Sequence, residues 1–167
     1  MTETLWAPWR MEFIRSEKEP GCVFCKAQAA PEAERAARLV LARREHAFVI
    51  MNRYPYTHGH IMVVPRRHVS RLDDLDAAEQ AGLFGLTVDA QVALRVALSP
   101  QGLNLGMNLG RAAGAGIEDH IHIHLVPRWV GDTNFMPLLA DVRVMPENLA
   151  ATWEGLRPRF AALEDRG

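Results

Sequence analysis

The spacing of apolar and polar positions changes character several times along the chain. Arg38–Ala42 (RLVLA), His46–Asn52 (HAFVIMN) and His60–Pro65 (HIMVVP) are short apolar runs with the length and composition of strands. Arg53–Gly59, with Pro55 and Gly59, is turn-forming. From Asp73 to Leu98 the apolar residues recur at helical spacing and predict the longest helix. Asp76 is its predicted N-cap, with Glu79 in capping-box position, and Ser99-Pro100 ends it. Leu103–Leu109 predicts a fourth strand. In Asp119–Trp129 (DHIHIHLVPRW) the alternation has period two, which predicts a fifth. Ala29–Ala37 reads as a short helix. Pro146–Glu164 reads as a C-terminal helix, with Pro146 near its first turn. Strands, a long helix, strands and a helix in that order predict an α+β fold with an antiparallel sheet.

Residues 1–21, with Trp6 and Trp9, show no period and read as an arm that packs on its own domain or on a partner chain. Residues 22–145 form the predicted domain, and 146–167 a helix packed on it. A chain of 167 residues buries a core without staples. The net charge of −1 gives no pull toward nucleic acid or an anionic membrane. No apolar run approaches the roughly 18 residues of a membrane span, and the N-terminus does not read as a secretory signal. The expectation is a cytoplasmic protein with no nucleic-acid or membrane partner.

The histidines change this bland picture. Six of the seven fall in two windows, His58, His60 and His68, and His120, His122 and His124. On a strand the last three share one face, and Ile121, Ile123 and Leu125 enter a core on the other. The outer pair would be roughly 13 Å apart along the strand. A single ion with bonds of about 2.0–2.1 Å cannot bridge that distance. His122 is therefore open to three readings: a satisfied polar residue, a metal ligand beside His120 or His124, or a nucleophile toward phosphorus. The chemistry favours the last. A neutral imidazole can attack a phosphoryl centre and pass the group to a second acceptor. The flanking histidines are placed to fix its tautomer and to stabilise charge.

Gly110–Gly116 (GRAAGAG) precedes this row. Its glycines, Gly114 and Gly116 nearest the row, let backbone N–H groups approach an anion, and Arg111 adds charge. Read alone, such a loop is a turn. Cys22-x-x-Cys25 holds the only cysteines. Incidental burial, a redox pair and a zinc site are the open readings. A structural disulfide does not suit a chain without an export signal, and no thioredoxin-type unit surrounds the pair. Zinc needs two further ligands, which must be histidines. Spacing does not say which, although His68 and His120 would converge if their strands were neighbours.

His120-Ile-His122-Ile-His124-Leu-Val resembles the signature of the histidine triad (HIT) family. Met51–Pro55 and Gly59–His68 are similar to its earlier strand and its Gly-His segment, and Cys22-Val-Phe-Cys25-Lys26 to the N-terminus of its zinc-containing members. The Trp6–Arg10 arm and the GAGIEDH stretch resemble a bacterial branch with diadenosine tetraphosphate phosphorylase activity. The resemblance implies a five-stranded antiparallel sheet with one long helix, paired into a homodimer or a higher homo-oligomer. It implies His122 as nucleophile, supported by His124 and His60, with Asn52 at the ribose. It implies Cys22, Cys25, His68 and His120 as ligands of a structural zinc, and no organic cofactor. The substrates implied are a dinucleoside polyphosphate and inorganic phosphate.

One position departs from the pattern. Many members carry glutamine four residues before the first triad histidine, where this chain has Gly116. Asn108, one strand away, is the candidate replacement. Loss of an amide that orients water favours phosphate as acceptor. The competing expectations are a hydrolase of dinucleoside polyphosphates or nucleoside phosphoramidates, and a nucleotide-binding interaction protein with vestigial activity.

Overall fold

The structure, a computed structural model, describes residues 20–132 and 145–166. The Trp6–Trp9 arm lies outside the described residues. Five strands form one sheet: β1 (Val40–Arg43), β2 (Ala47–Met51), β3 (Ile61–Pro65), β4 (Gly102–Gly106) and β5 (Ile123–Arg128). Their order is β1-β2-β3-β5-β4, and every neighbouring pair is antiparallel. Among the described residues the helices are α1 (Val23–Ala29), α2 (Ala77–Leu98) and α3 (Leu149–Ala161). This is the expected α+β architecture, with β5 inserted between β3 and β4.

Helix α2 packs on β2 and β3, and α3 packs on β1 and α2. Between helices and sheet lie Leu41, Phe48, Leu83, Leu86, Leu94, Leu156 and Phe160, all fully buried. The Trp153 indole N–H donates to the Val40 carbonyl at 3.0 Å and ties α3 to β1. The predicted capping box on α2 is present: Asp76 accepts from the Glu79 backbone at 2.8 Å, and Glu79 accepts from the Asp76 backbone at 2.9 Å. Ser99 caps the other end in the left-handed region at φ 47°.

Several boundaries differ from the sequence expectation. The helix expected over Ala29–Ala37 lies earlier, at Val23–Ala29. Pro31 holds Ala30 extended, at φ −62° and ψ 141°, and only a 3-10 turn at Glu32–Glu34 follows. Helix α3 begins at Leu149, not beside Pro146, because the Asn148 side chain caps it by accepting from the Ala151 N–H at 2.9 Å. β4 stops at Gly106, which leaves Asn108 in the following loop. β5 begins at Ile123, so His120 and His122 precede the ladder.

Helix α2 is apolar on two sides. Leu83, Leu86, Ala90 and Leu94 are buried, whereas Phe84, Val88, Val92 and Val96 form a stripe at i, i+4, i+8 and i+12, each at least 50% exposed. Although polar residues interrupt its apolar run, an 18-residue window of this 22-residue helix has a mean hydropathy of 1.4, enough by length and composition alone for a membrane span. Its inner face nonetheless packs on the sheet, and its Asp89 pairs with Arg44 at 2.7 Å.

Candidate functional site

The turn before β3 places the first histidine. Gly59 has φ +72°, and a Cβ there would lie 2.3 Å from Leu98 Cδ1. The chain can enter β3 beside α2 only with glycine at this point. His60 follows, almost wholly buried. Because β5 lies beside β3, Met62 faces His124 in register, and His60 Nε2 comes 3.0 Å from His124 Nδ1. The Tyr56 backbone N–H donates to His60 Nδ1 at 3.1 Å. Asn52 Nδ2, also a donor, lies 3.4 Å from the same nitrogen. Nδ1 of His60 is thus an acceptor and its Nε2 carries the proton. Nε2 donates to His124 Nδ1, which leaves the His124 proton on its own Nε2.

His122 is fixed by a different partner. Its Nδ1 lies 3.0 Å from the His120 carbonyl oxygen. A carbonyl only accepts, so Nδ1 carries the hydrogen and Nε2 holds the lone pair. Burial pushes the imidazole below its ordinary pKa and keeps it neutral. The His124 ring stands 4.8 Å away at 77°, and the Phe24 ring 5.0 Å away at 55°. The sequence placed the histidines on the face opposite the one that enters the core. Instead His120 and His122 are as buried as Ile121 and Ile123, because the α1 segment covers them.

His122 and His124 line a cavity together with Asn52, Asn108, Gly114 and Gly116. The structure brings these six sequence candidates together. His60 lies behind His124. Arg111 sits exposed in the 3-10 turn Arg111–Ala113 and is not among the lining residues. Gly114, at φ +82°, carries the loop into the cavity wall. Met62, Ile117, Tyr54 and Tyr56 also line the cavity, and the sequence reading passed over them. A signal existed: both tyrosines of the chain fall in the turn between Asn52 and His60. The Tyr56 ring lies 4.7 Å from that of His60.

A second cluster adjoins the first. The ligand atoms of Cys22, Cys25, His68 and His120 all lie within 4.8 Å of one another. Cys22 Sγ is 3.3 Å from His120 Nδ1, and Cys25 Sγ is 3.3 Å from His68 Nδ1. The neighbour relation that spacing left open is direct, since the Ile121 N–H donates to the Val69 carbonyl at 2.8 Å. His120 Nε2 donates to the Pro65 carbonyl at 2.8 Å, so Nδ1 presents its lone pair to the sulfurs. Burial pushes its pKa down to about 4. Two thiols and two imidazoles with lone pairs converging suit a tetrahedral metal ion. The two clusters meet at His120, whose ring belongs to one and whose carbonyl holds the nucleophile candidate of the other.

A family model described as the HIT domain matches residues 33–130. Over 165 residues the chain is 37% identical to the AP-4-A phosphorylase of Mycobacterium tuberculosis, covering 95% of this chain and 85% of that protein. Over 126 residues it is 29% identical to the asymmetrical bis(5'-nucleosyl)-tetraphosphatase of Schizosaccharomyces pombe, covering 75% of this chain and 69% of that one. Among solved structures it is similar to a zinc-bound histidine triad family protein from Mycobacterium smegmatis, with a TM-score of 0.65 and 27% identity, covering 88% of this chain and 98% of that one.

Proposed function

The chain belongs to the histidine triad family, and on that premise we propose that it is an enzyme that cleaves dinucleoside polyphosphates by nucleotidyl transfer through His122. The observation that carries this reading is the His122–His120 hydrogen bond, which leaves Nε2 as the lone-pair nitrogen of a residue lining the cavity. Nε2 attacks the α-phosphorus of diadenosine tetraphosphate. An N–P bond forms as the P–O bond to the leaving ATP breaks, and the His124 Nε2–H is placed to donate to the departing oxygen. The ring gains positive charge in this step, and the His120 carbonyl stabilises it through Nδ1–H. An oxygen of inorganic phosphate then attacks phosphorus, the N–P bond breaks, and ADP leaves. The 37% identity to a phosphorylase supports phosphate as acceptor. So does Gly116, which brings no side-chain amide to the cavity wall. Asn52 contacts the ribose in this reading, and Asn108 and the Gly114–Gly116 backbone contact phosphate oxygens.

Cys22, Cys25, His68 and His120 would hold Zn²⁺. Bound there it would clamp α1 to the start of β5, with no coordination position open to substrate. The stripe on α2 and the exposed edge strand β4, with Leu105, suit a second copy of the chain, so the working unit is a homodimer. A hydrolase is the second reading, favoured by the tetraphosphatase relative. Water would then give AMP and ATP.

The experiment is product analysis of diadenosine tetraphosphate with and without millimolar phosphate. Phosphate should accelerate cleavage and give ADP plus ATP. Gly116→Gln should divert product toward AMP. Release of AMP at the same rate without phosphate would establish the hydrolase instead. A His122→Ala variant that keeps more than about a tenth of the turnover would exclude the nucleophile, since loss of one typically costs several orders of magnitude.

A further inference from the structure

One of the two residues between the cysteines, Phe24, has contacts that the metal cluster does not explain. Phe24 is wholly buried, in the first turn of α1, and its ring faces both clusters. It meets His120 edge-on at 5.5 Å and 84°, and His122 at 5.0 Å and 55°. Among the described residues the His122 ring has two ring contacts, Phe24 and His124. Its hydrogen bond to the His120 carbonyl fixes one point, Nδ1. A single hydrogen bond leaves the ring free to tilt about that point, and Nε2 swings with it. A ring packed against the imidazole removes that freedom.

We propose that Phe24 is a positioning residue for His122, one that sets the direction of Nε2 without touching substrate. The backbone places it for this. Cys22 and Cys25 flank the Val23–Phe24 pair, and their sulfurs lie beside His120 and His68, so the segment that presents the ring sits against the stretch just before β5 that carries the nucleophile candidate. The inference rests on the nucleotidyl-transfer reading for its kinetic consequence. Its structural half, that Phe24 holds the ring, stands apart from that reading.

The test uses Phe24→Leu, which keeps most of the apolar volume, and Phe24→Ala, both in full-length protein at saturating zinc. Phe24→Leu decides if the alanine variant does not fold. Two quantities are read. One is kcat and KM for diadenosine tetraphosphate. The other is the exchange of the His122 Nδ1–H signal with water in protein labelled with ¹⁵N-histidine, assigned by its loss in His122→Ala. Misplacement of a reacting group by about 1 Å costs up to roughly 100-fold in rate. Phe24→Leu should therefore lower kcat about tenfold or more with KM held, and speed Nδ1–H exchange. A variant with a lower Tm but unchanged kcat per folded molecule would make Phe24 ordinary packing and overturn the proposal. So would a fall in kcat with the Nδ1–H signal unmoved. A fully active His122→Ala would sink the nucleophile reading instead, and the exchange measurement would still report whether Phe24 holds the ring.

Discussion

Replacing His60 by phenylalanine separates positioning of the proposed acid, His124, from binding of substrate. The substitution keeps a flat ring in a buried place but removes both nitrogens. Three hydrogen bonds go: the one accepted from the Tyr56 N–H at 3.1 Å, the longer one from Asn52 Nδ2 at 3.4 Å, and the one donated to His124 Nδ1 at 3.0 Å. The Tyr56 N–H is left without that acceptor. If it stays dry, the cost in stability is about 1–3 kcal/mol. His124 loses the donor that fixes its tautomer. A neutral hydrogen bond of about 0.5–1.5 kcal/mol net corresponds to roughly 2- to 13-fold in rate at 1.36 kcal/mol per decade. We expect kcat to fall by about that factor. KM should stay close to its original value, because His60 is not among the cavity-lining residues. In a His124→Ala background the same substitution should add little to the loss, since both act on one proton. Urea unfolding gives the stability and steady-state kinetics the rest. A raised KM with unchanged kcat would show His60 acting on substrate binding and would refute the tautomer chain.

Three further outcomes are expected. Elemental analysis of protein purified without chelator should find one zinc per chain, and chelation should lower Tm; a metal-free preparation with the same Tm would refute a structural role for the cluster. Val88→Glu or Val92→Glu should convert the proposed dimer to monomer in sedimentation, because a charge would replace an apolar side chain in the middle of the stripe; a dimer that persists would move the interface elsewhere, and a monomer before substitution would refute the pairing. Arg67, whose side chain donates to Glu79, together with the Asp76 backbone N–H, holds the Glu79 carboxyl at about 2, below its ordinary 4.5. Its contribution is therefore complete above about 4.5 and lost as pH falls toward about 2, so the Tm gap between the protein and Glu79→Gln should close across that window.

The strands, the long helix and its capping box were legible because each is written in local periodicity. So was the row His120–His124, as a cluster with chemistry. The sequence did not show that both sides of the row are buried. That depends on Phe24 arriving from about a hundred residues away in the chain, and on a seven-residue helix too short to leave a periodic signature. The partners of Cys22 and Cys25 were undecided by spacing for a similar reason. His68 and His120 meet only because β5 pairs with β3 and Ile121 bonds Val69, which are long-range facts. Family resemblance supplied the pair, and the geometry brings those four residues together. Tyr54 and Tyr56 were missed because turn chemistry around Pro55 accounts for that segment by itself. Arg111 was read as a charge beside an anion, but the 3-10 turn leaves it on the outside.

His120 is a lever with two ends. The HIT-domain match spans residues 33–130, so it contains His120 but neither cysteine. Cys22 Sγ lies beside the ring of His120, while the carbonyl of the same residue lies 3.0 Å from His122 Nδ1. A substitution at Cys22 that lets the ring shift would therefore be felt at His122 through one backbone position, without any change among the cavity-lining residues.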